Sequence, residues 1–308
     1  MRIDELLATQ RPVFSVEFFP PKTPTGYELL FETIAALKPL EPDYVSVTYG
    51  AGGATRDGTV EIAERIKADG IEVMAHLSCV GEIRDGLRSL LDRFSAIGIE
   101  NVLALRGDPP RGESEFTPPD DGLSSAAELT DFITSDYDFT IGGACFPEVH
   151  PEADGLEADL AYLKTKVDAG ANFLITQLFF DNRAYFEFVA AARERGIDVP
   201  IIPGVIPIAS FDQVARICSL CDASIPQELS AAMAELGGDS EAEALLGVAY
   251  AARQCEELLA GGAPGVHFYA LNRAAGTRAV LAALRASRPW ERAETQQEPQ
   301  AAQVDSRR

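Results

Sequence analysis

The stretch Phe14-Ser-Val-Glu-Phe-Phe-Pro-Pro-Lys22 reads as a short β-strand that stops at a proline pair, with a carboxylate, Glu17, set inside an otherwise apolar run. Strand side chains alternate between faces, so Phe14, Val16 and Phe18 share one side while Ser15 and Glu17 share the other. One face is bulky and apolar; the other ends in an acid. Burying an unpaired charge is costly. Glu17 is therefore either a partly exposed or Arg-paired residue near a strand end, or an acid kept for chemistry.

The same alternation recurs outward from this run. Strand-like segments fall near 13–19, 43–49, 71–77, 101–105, 139–146, 172–178, 199–206 and 264–270, with amphipathic stretches between them. Leu156, Leu160, Leu163 and Val167 stand at helical spacing and are followed by Gly170 where a C-cap belongs. Ser210-Phe-Asp-Gln213 has the form of a capping box. Eight strands each followed by a helix, over roughly 250 residues or more, give an α/β fold of the (β/α)8 TIM barrel type. A doubly wound parallel sheet is the alternative arrangement. Two helical patterns, near 226–235 and 240–260, lie between strands seven and eight and predict an insertion there. The reading is one catalytic domain over 1–290 and a disordered tail over 291–308, where Glu, Gln, Ala and Arg show no apolar period.

The 308 residues carry a formal charge of −22, which argues against nonspecific binding to nucleic acid or to anionic membrane surfaces. Any anionic ligand must then meet a local basic patch. The five cysteines are scattered and odd in number, which fits buried thiols in a reducing, cytoplasmic setting. The N-terminus lacks signal-peptide character, and no apolar run approaches the length of about 18 residues needed to span a membrane. Cys218-Ser-Leu-Cys221 has half the spacing of a zinc site, with no second half to complete it, so no metal is expected.

In such a barrel the reactive groups gather at the C-terminal strand ends. Those ends are polar here: Glu17; Thr48 and Tyr49; His76; Arg106-Gly-Asp-Pro-Pro110; Phe146-Pro-Glu-Val-His150; Gln177; and Tyr269 with Asn272 and Arg273. Any one of them has a structural explanation, His76 as a satisfied core histidine or Arg106 and Asp108 as an ion pair. Their coincidence across strands predicts a functional mouth.

Seven segments carry a family resemblance: Phe14–Lys22, Val45–Ala51, Ala104–Asp108, Phe146–Glu152, Ile175–Asp181, Ile202–Pro207 and His267–Arg273. In content and order, over about residues 1–290, the chain resembles the methylenetetrahydrofolate reductases. The resemblance implies a TIM barrel that holds FAD at its C-terminal face. It also implies reduction of 5,10-methylenetetrahydrofolate to 5-methyltetrahydrofolate with NADH or NADPH as electron donor, the single-domain size favouring NADH. Hydride would pass through the flavin in ping-pong fashion, feeding methionine synthesis. Glu17 becomes the general acid that protonates the folate ring nitrogen, in surroundings of Phe18, Phe19 and flavin that raise its pKa. Asp108 sits beside flavin and folate. Thr48, Tyr49, Ala51, His76, Arg106, Gly107, Phe146, His150, Asp159 and Lys166 match cofactor-binding positions. Gln177, Gln213, Tyr269 and Arg273 match positions that meet folate or nicotinamide, with Gln213 equally readable as a capping residue.

The chain departs from the family pattern at Phe146, where relatives often carry Tyr, at Ile217, and at Tyr162 and Thr165, which leave less positive charge for the FAD phosphates. The partners expected are small molecules and further copies of the same chain. Without the second domain of larger relatives, no inhibition by S-adenosylmethionine is expected. A glycosidase using Glu17 and Asp108 is a rival reading, weakened by the single tryptophan, Trp290. A metal hydrolase on His76, His150 and His267, and a binding barrel without catalysis, are the others.

Overall fold

The computed structural model describes residues 1–9, 11–49, 53–109 and 116–291. Eight strands, β1 (Val13–Phe18), β2 (Tyr44–Val47), β3 (Val73–Ser78), β4 (Asn101–Leu105), β5 (Thr140–Cys145), β6 (Phe173–Leu178), β7 (Ile201–Val205) and β8 (Gly265–Tyr269), pair in parallel and in chain order. β8 closes on β1, with Ser15 opposite His267 and Glu17 opposite Tyr269. The barrel reading therefore holds, and the doubly wound alternative does not. The strands run within one or two residues of the ends read from sequence. The tail beyond Glu291, Ala51 and Pro110 lie outside the described residues.

The helices are α1 (Ile3–Leu7), α2 (Pro24–Leu37), α3 (Gly53–Ala68), α4 (Arg84–Ala96), α5 (Ala126–Asp136), α6 (Leu156–Asp168), α7 (Asn182–Glu194), α8 (Phe211–Cys221), α9 (Gln227–Glu235), α10 (Ser240–Ala260) and α11 (Ala274–Ser287). Local signals set their ends. Thr23 accepts from Gly26 N ahead of Pro24, a favoured first helical residue, and Gly170, at φ +118°, follows α6 in a conformation that suits glycine. Among the described residues no helix is long and apolar enough to cross a membrane.

Strand alternation divides the apolar residues into two cores. Phe14, Val16 and Phe18 face outward and pack with Leu30, Ile34, Ile62 and Ile66 in the layer between strands and helices. Val13, Tyr44, Met74, Leu103, Phe173, Ile175 and Ile202 fill the lower lumen, where Ile3 and Leu6 of α1 join them. α1 thus plugs the N-terminal end, pinned by Ile3 N donating to Asn101 Oδ1 at 2.8 Å. The apolar fill stops there, and the upper lumen is polar.

Three helices join β7 to β8. α10 packs against α7 and α11 and so completes the outer ring. α8 and α9 are the added pieces; with Leu178, Phe180, Ile206 and Ile208 they form a separate apolar cluster over the β6 to β8 rim. α10 is fastened to that rim by Gln254 Nε2 donating to Phe179 O at 2.8 Å and Tyr250 Oη to Phe180 O at 2.7 Å. The capping box expected at Ser210–Gln213 does not form: the Ser210 side chain makes no cap bond. Glu243 of α10 accepts from Phe211 N at 3.2 Å instead, a charged acceptor brought in by tertiary packing.

The lumen is tight where β1 meets β8. A Cβ at Gly265 would lie 1.9 Å from Val13 O, whereas one at Gly262, at φ +91°, meets nothing within 4 Å. Gly265→Ala is expected to destabilise the fold by about 3 kcal/mol or more, and Gly262→Ala by about 1 kcal/mol from backbone conformation alone. Urea unfolding of the two variants measures the difference.

Candidate active site

Glu17 projects into the upper lumen one residue before β1 ends, its side chain 20% exposed. Its Oε2 lies 3.3 Å from His267 Nε2, 3.4 Å from His76 Nε2 and 3.5 Å from Ser46 Oγ. Behind it, Ser15 Oγ is 2.8 Å from His267 Nδ1. Phe18, by contrast, points outward into the helix layer and Phe19 is exposed, so neither ring forms the apolar enclosure expected around the acid. Burial pushes the carboxyl up, but the His267 bond, the electrostatic pull of the two imidazoles and the Ser46 hydroxyl outweigh it and hold Glu17 below its usual value. That corrects the expectation of a raised pKa. His76 is pushed down to about 4, by burial against the pull of Glu17. Its Nε2 is buried without a hydrogen bond of its own.

Above β4 and β5 the structure brings the predicted cations together. Arg106 forms a two-pronged ion pair with Glu152, at 2.5 and 2.8 Å. The expected alternative partner, Asp108, is exposed and left to the rim. Gly107 takes φ +89°, and a Cβ there would meet Ser78 Oγ at 2.2 Å, so the turn requires glycine. His150 stacks edge-on against Phe146 at 4.5 Å, donates its backbone N to Asp159 Oδ2 at 3.0 Å and accepts from Glu152 N at Nδ1. Lys166 is buried and donates to Ala144 O at 2.6 Å, and burial lowers its pKa. The loop holds strain as well: Val149, a β-branched residue, sits at φ +73°. Across the barrel, Tyr49 Oη bonds the buried Glu82 at 2.5 Å, and Thr48 O accepts from Thr59.

A register shift between Ile175 and Leu178 shapes the third side. Gly204 N bonds Thr176 Oγ1 at 2.9 Å, and the Thr176 carbonyl accepts from Tyr269 Oη at 2.7 Å. Gln177 lies within this irregularity, half-buried, its Oε1 taken by Leu178 N. Gln213 and Arg273 are both exposed and line a recess with Ser210, Leu271 and Thr277 at the ends of β7 and β8. Asn272, at φ +57°, clamps the loop after β8 to the loop after β1: its side chain accepts from Phe19 N at 3.0 Å and donates to Phe19 O at 2.9 Å.

Many of the described residues predicted for the mouth lie at or just beyond strand ends, in three groups around Glu17, while Asp159 and Lys166 stand on α6 and Gln213 on α8. Sequence reasoning gave no role to Ser46 or Glu152, weighed His267 only as a ligand in a rival metal-hydrolase reading, and took Ser15 only as a neighbour of Glu17 on the strand face. Period-two alternation carried the signal for two of them, since Ser15 shares a face with Glu17 and His267 with Tyr269. Among the described residues no His, Cys, Asp and Glu side chains gather as a metal site; His150 stands with Phe146, away from the other two histidines.

A family model described as "Methylenetetrahydrofolate reductase" matches residues 2–285. The chain is 41% identical over 283 residues to "Methylenetetrahydrofolate reductase (NADH) 1" of Arabidopsis thaliana, covering 88% of this chain and 48% of that protein. It is 40% identical over 267 residues to the "5,10-methylenetetrahydrofolate reductase" of Salmonella typhimurium, covering 86% and 88%. The chain thus spans about half the length of the plant relatives it matches. A solved Clostridium thermocellum protein, described as binding two copies of 5-methyl-5,6,7,8-tetrahydrofolic acid, aligns at TM-score 0.63 and 18% identity over 92% of this chain and 98% of that one. At that identity the likeness is one of fold.

The depressed His76 has a consequence for stability. Its folded pKa of about 4 lies below the 6.5 of a free imidazole, so the unfolded chain binds the extra proton first. The contribution is present above pH 6.5 and lost as pH falls toward 4. Its full size is roughly 3 kcal/mol. Urea unfolding across this range is expected to show stability falling with pH, with a shallower slope in His76→Gln.

Proposed function

The chain belongs to the methylenetetrahydrofolate reductase family, and from that premise we propose that it reduces 5,10-methylenetetrahydrofolate to 5-methyltetrahydrofolate with NADH, through bound FAD. The observation that carries the reading is the position of Glu17, at the centre of the strand ends, between a cation-bearing side and an open, hydrogen-bonding side. NADH as donor is supported by the names of the plant relatives. The five unpaired cysteines support a reducing, cytoplasmic setting.

The residues present fit the flavin nucleotide. Arg106, Lys166 and His150 supply cationic or donor groups for its pyrophosphate in a chain of charge −22. The turn at Gly107 keeps the backbone bare, and His76 Nε2, buried with no hydrogen bond and 3.4 Å from Glu17 Oε2, offers a polar atom at the mouth. Bound FAD would supply the hydride transfer between nicotinamide and folate. Thr48, Tyr49 and Phe146 would border it, and Asp159 holds the loop that carries His150. Glu152 occupies the Arg106 guanidinium and must yield it to a phosphate.

Glu17 then delivers a proton to the ring nitrogen of the folate, opening the five-membered ring to an electrophilic iminium. Asp108, on the rim, favours that cation electrostatically. Gln177, Gln213, Tyr269 and Arg273 orient folate and nicotinamide, which use the open side in turn. Because Glu17 is held below its usual pKa, proton delivery draws on its protonated fraction, and the folate step should quicken as pH falls toward that pKa.

Glu17→Gln is expected to slow flavin reoxidation by folate by about a hundredfold or more while NADH still bleaches the flavin. Anaerobic stopped-flow absorbance of the two half-reactions separates these; loss of both, or a protein that takes up no FAD, defeats the proposal. Glu152→Gln is expected to tighten FAD binding by about three- to tenfold, read by quenching of flavin fluorescence, because it removes a competitor for Arg106.

A further inference from the structure

His267 is fully buried on β8, and a barrel lumen at this depth is ordinarily filled by branched apolar residues. Instead Ser15, His267 and Glu17 form a line: Ser15 Oγ to Nδ1 at 2.8 Å and Nε2 to Glu17 Oε2 at 3.3 Å. The groups facing the Glu17 carboxyl from the surrounding strands are Ser46 and Tyr44 of β2, His76 of β3, and His267 and Tyr269 of β8. Tyr269 spends its hydroxyl on Thr176 O, and His76 makes no hydrogen bond of good geometry. His267 is thus the closest ring donor to the carboxylate and is itself held from behind.

An ionised carboxylate only accepts hydrogen bonds, so the ring nitrogen facing it must carry the proton. In a neutral imidazole the other nitrogen is then bare and must accept, and Ser15 is the donor in place. We propose that His267 is the positioning residue for Glu17, held by Ser15 as the tautomer that presents Nε2–H to the carboxylate. This rests on the reading of Glu17 as the general acid. When the Glu17 O–H bond breaks, the proton goes to the folate nitrogen and the electron pair stays on the carboxylate oxygen. Nε2–H meets that charge with no movement of the ring. The contact favours the ionised form, which agrees with the direction in which Glu17 is displaced.

The chain has three histidines, so nitrogen-15 labelling of histidine gives a spectrum simple enough to assign with a His267 variant. At pH 7 the neutral Nε2–H tautomer is expected at His267, and Ser15→Ala is expected to mix the tautomers. In the folate half-reaction, His267→Asn, whose amide stops short of Glu17, should move the pH dependence upward by about one unit, equivalent to about tenfold in proton affinity. His267→Gln, whose amide reaches the position of Nε2, should bring it back. A doubly protonated ring or an Nδ1–H tautomer at pH 7 overturns the proposal, as does a well-folded His267→Asn with the wild-type profile. The tautomer, and the carbon-13 titration of the Glu17 carboxyl, are read without turnover. A protein inactive on folate would sink the reductase reading and leave these two measurements to decide the role of His267.

Discussion

A carboxylate at the centre of a closed barrel is the condition around which the upper half of this molecule is arranged. Glu17 cannot be buried among aliphatic side chains without partners, and each neighbouring strand contributes accordingly: Ser46 from β2, His76 from β3, His267 from β8. The lower lumen, sealed by α1, needs no such provision and is filled by Tyr44, Met74, Phe173 and Ile202. One barrel thus has a dry half that supplies cohesion and a polar half that supplies chemistry. The division falls where β1 passes from Val13 to Ser15.

Charge is handled by similar local means. With 48 acidic against 26 basic residues, the chain can attract an anionic ligand only by concentrating its cations. Arg106, Lys166 and His150 are concentrated above β4 and β5, held by Glu152, the Ala144 carbonyl and Asp159. Glu152 engages the guanidinium through two hydrogen bonds, the same two-pronged mode by which an arginine binds a phosphate.

Much of this was legible in the sequence because it follows from periodicity. The eight strands, the ring of helices and the polar strand ends are consequences of alternation and turn chemistry, and so is the place of Glu17 one residue from its strand end. What was not legible depends on who faces whom. Phe18 and Phe19 are neighbours of Glu17 in the chain but not in space, so the acid is surrounded by imidazoles rather than phenyl rings, and the direction of its pKa reverses. Gln213 looked like part of a capping box until Glu243, from a helix beginning 27 residues later at Ser240, took over the cap. Glu152 lay inside a quoted motif, yet only the fold sets it against Arg106.

The pairing of β1 with β8 bears on how the protein is made. Glu17 precedes His267, Tyr269 and the Asn272 clamp by some 250 positions in the chain, so they emerge from synthesis well after it. Until the last strand docks, the ring is an open sheet, and its acid lacks the main donor that stabilises it. Closure pairs strands some 250 residues apart, the kind of long-range contact that forms slowly. The centre of the mouth is therefore completed only when β8 docks on β1, whereas its Arg106–Glu152 side needs only β4, β5 and the segment that follows them.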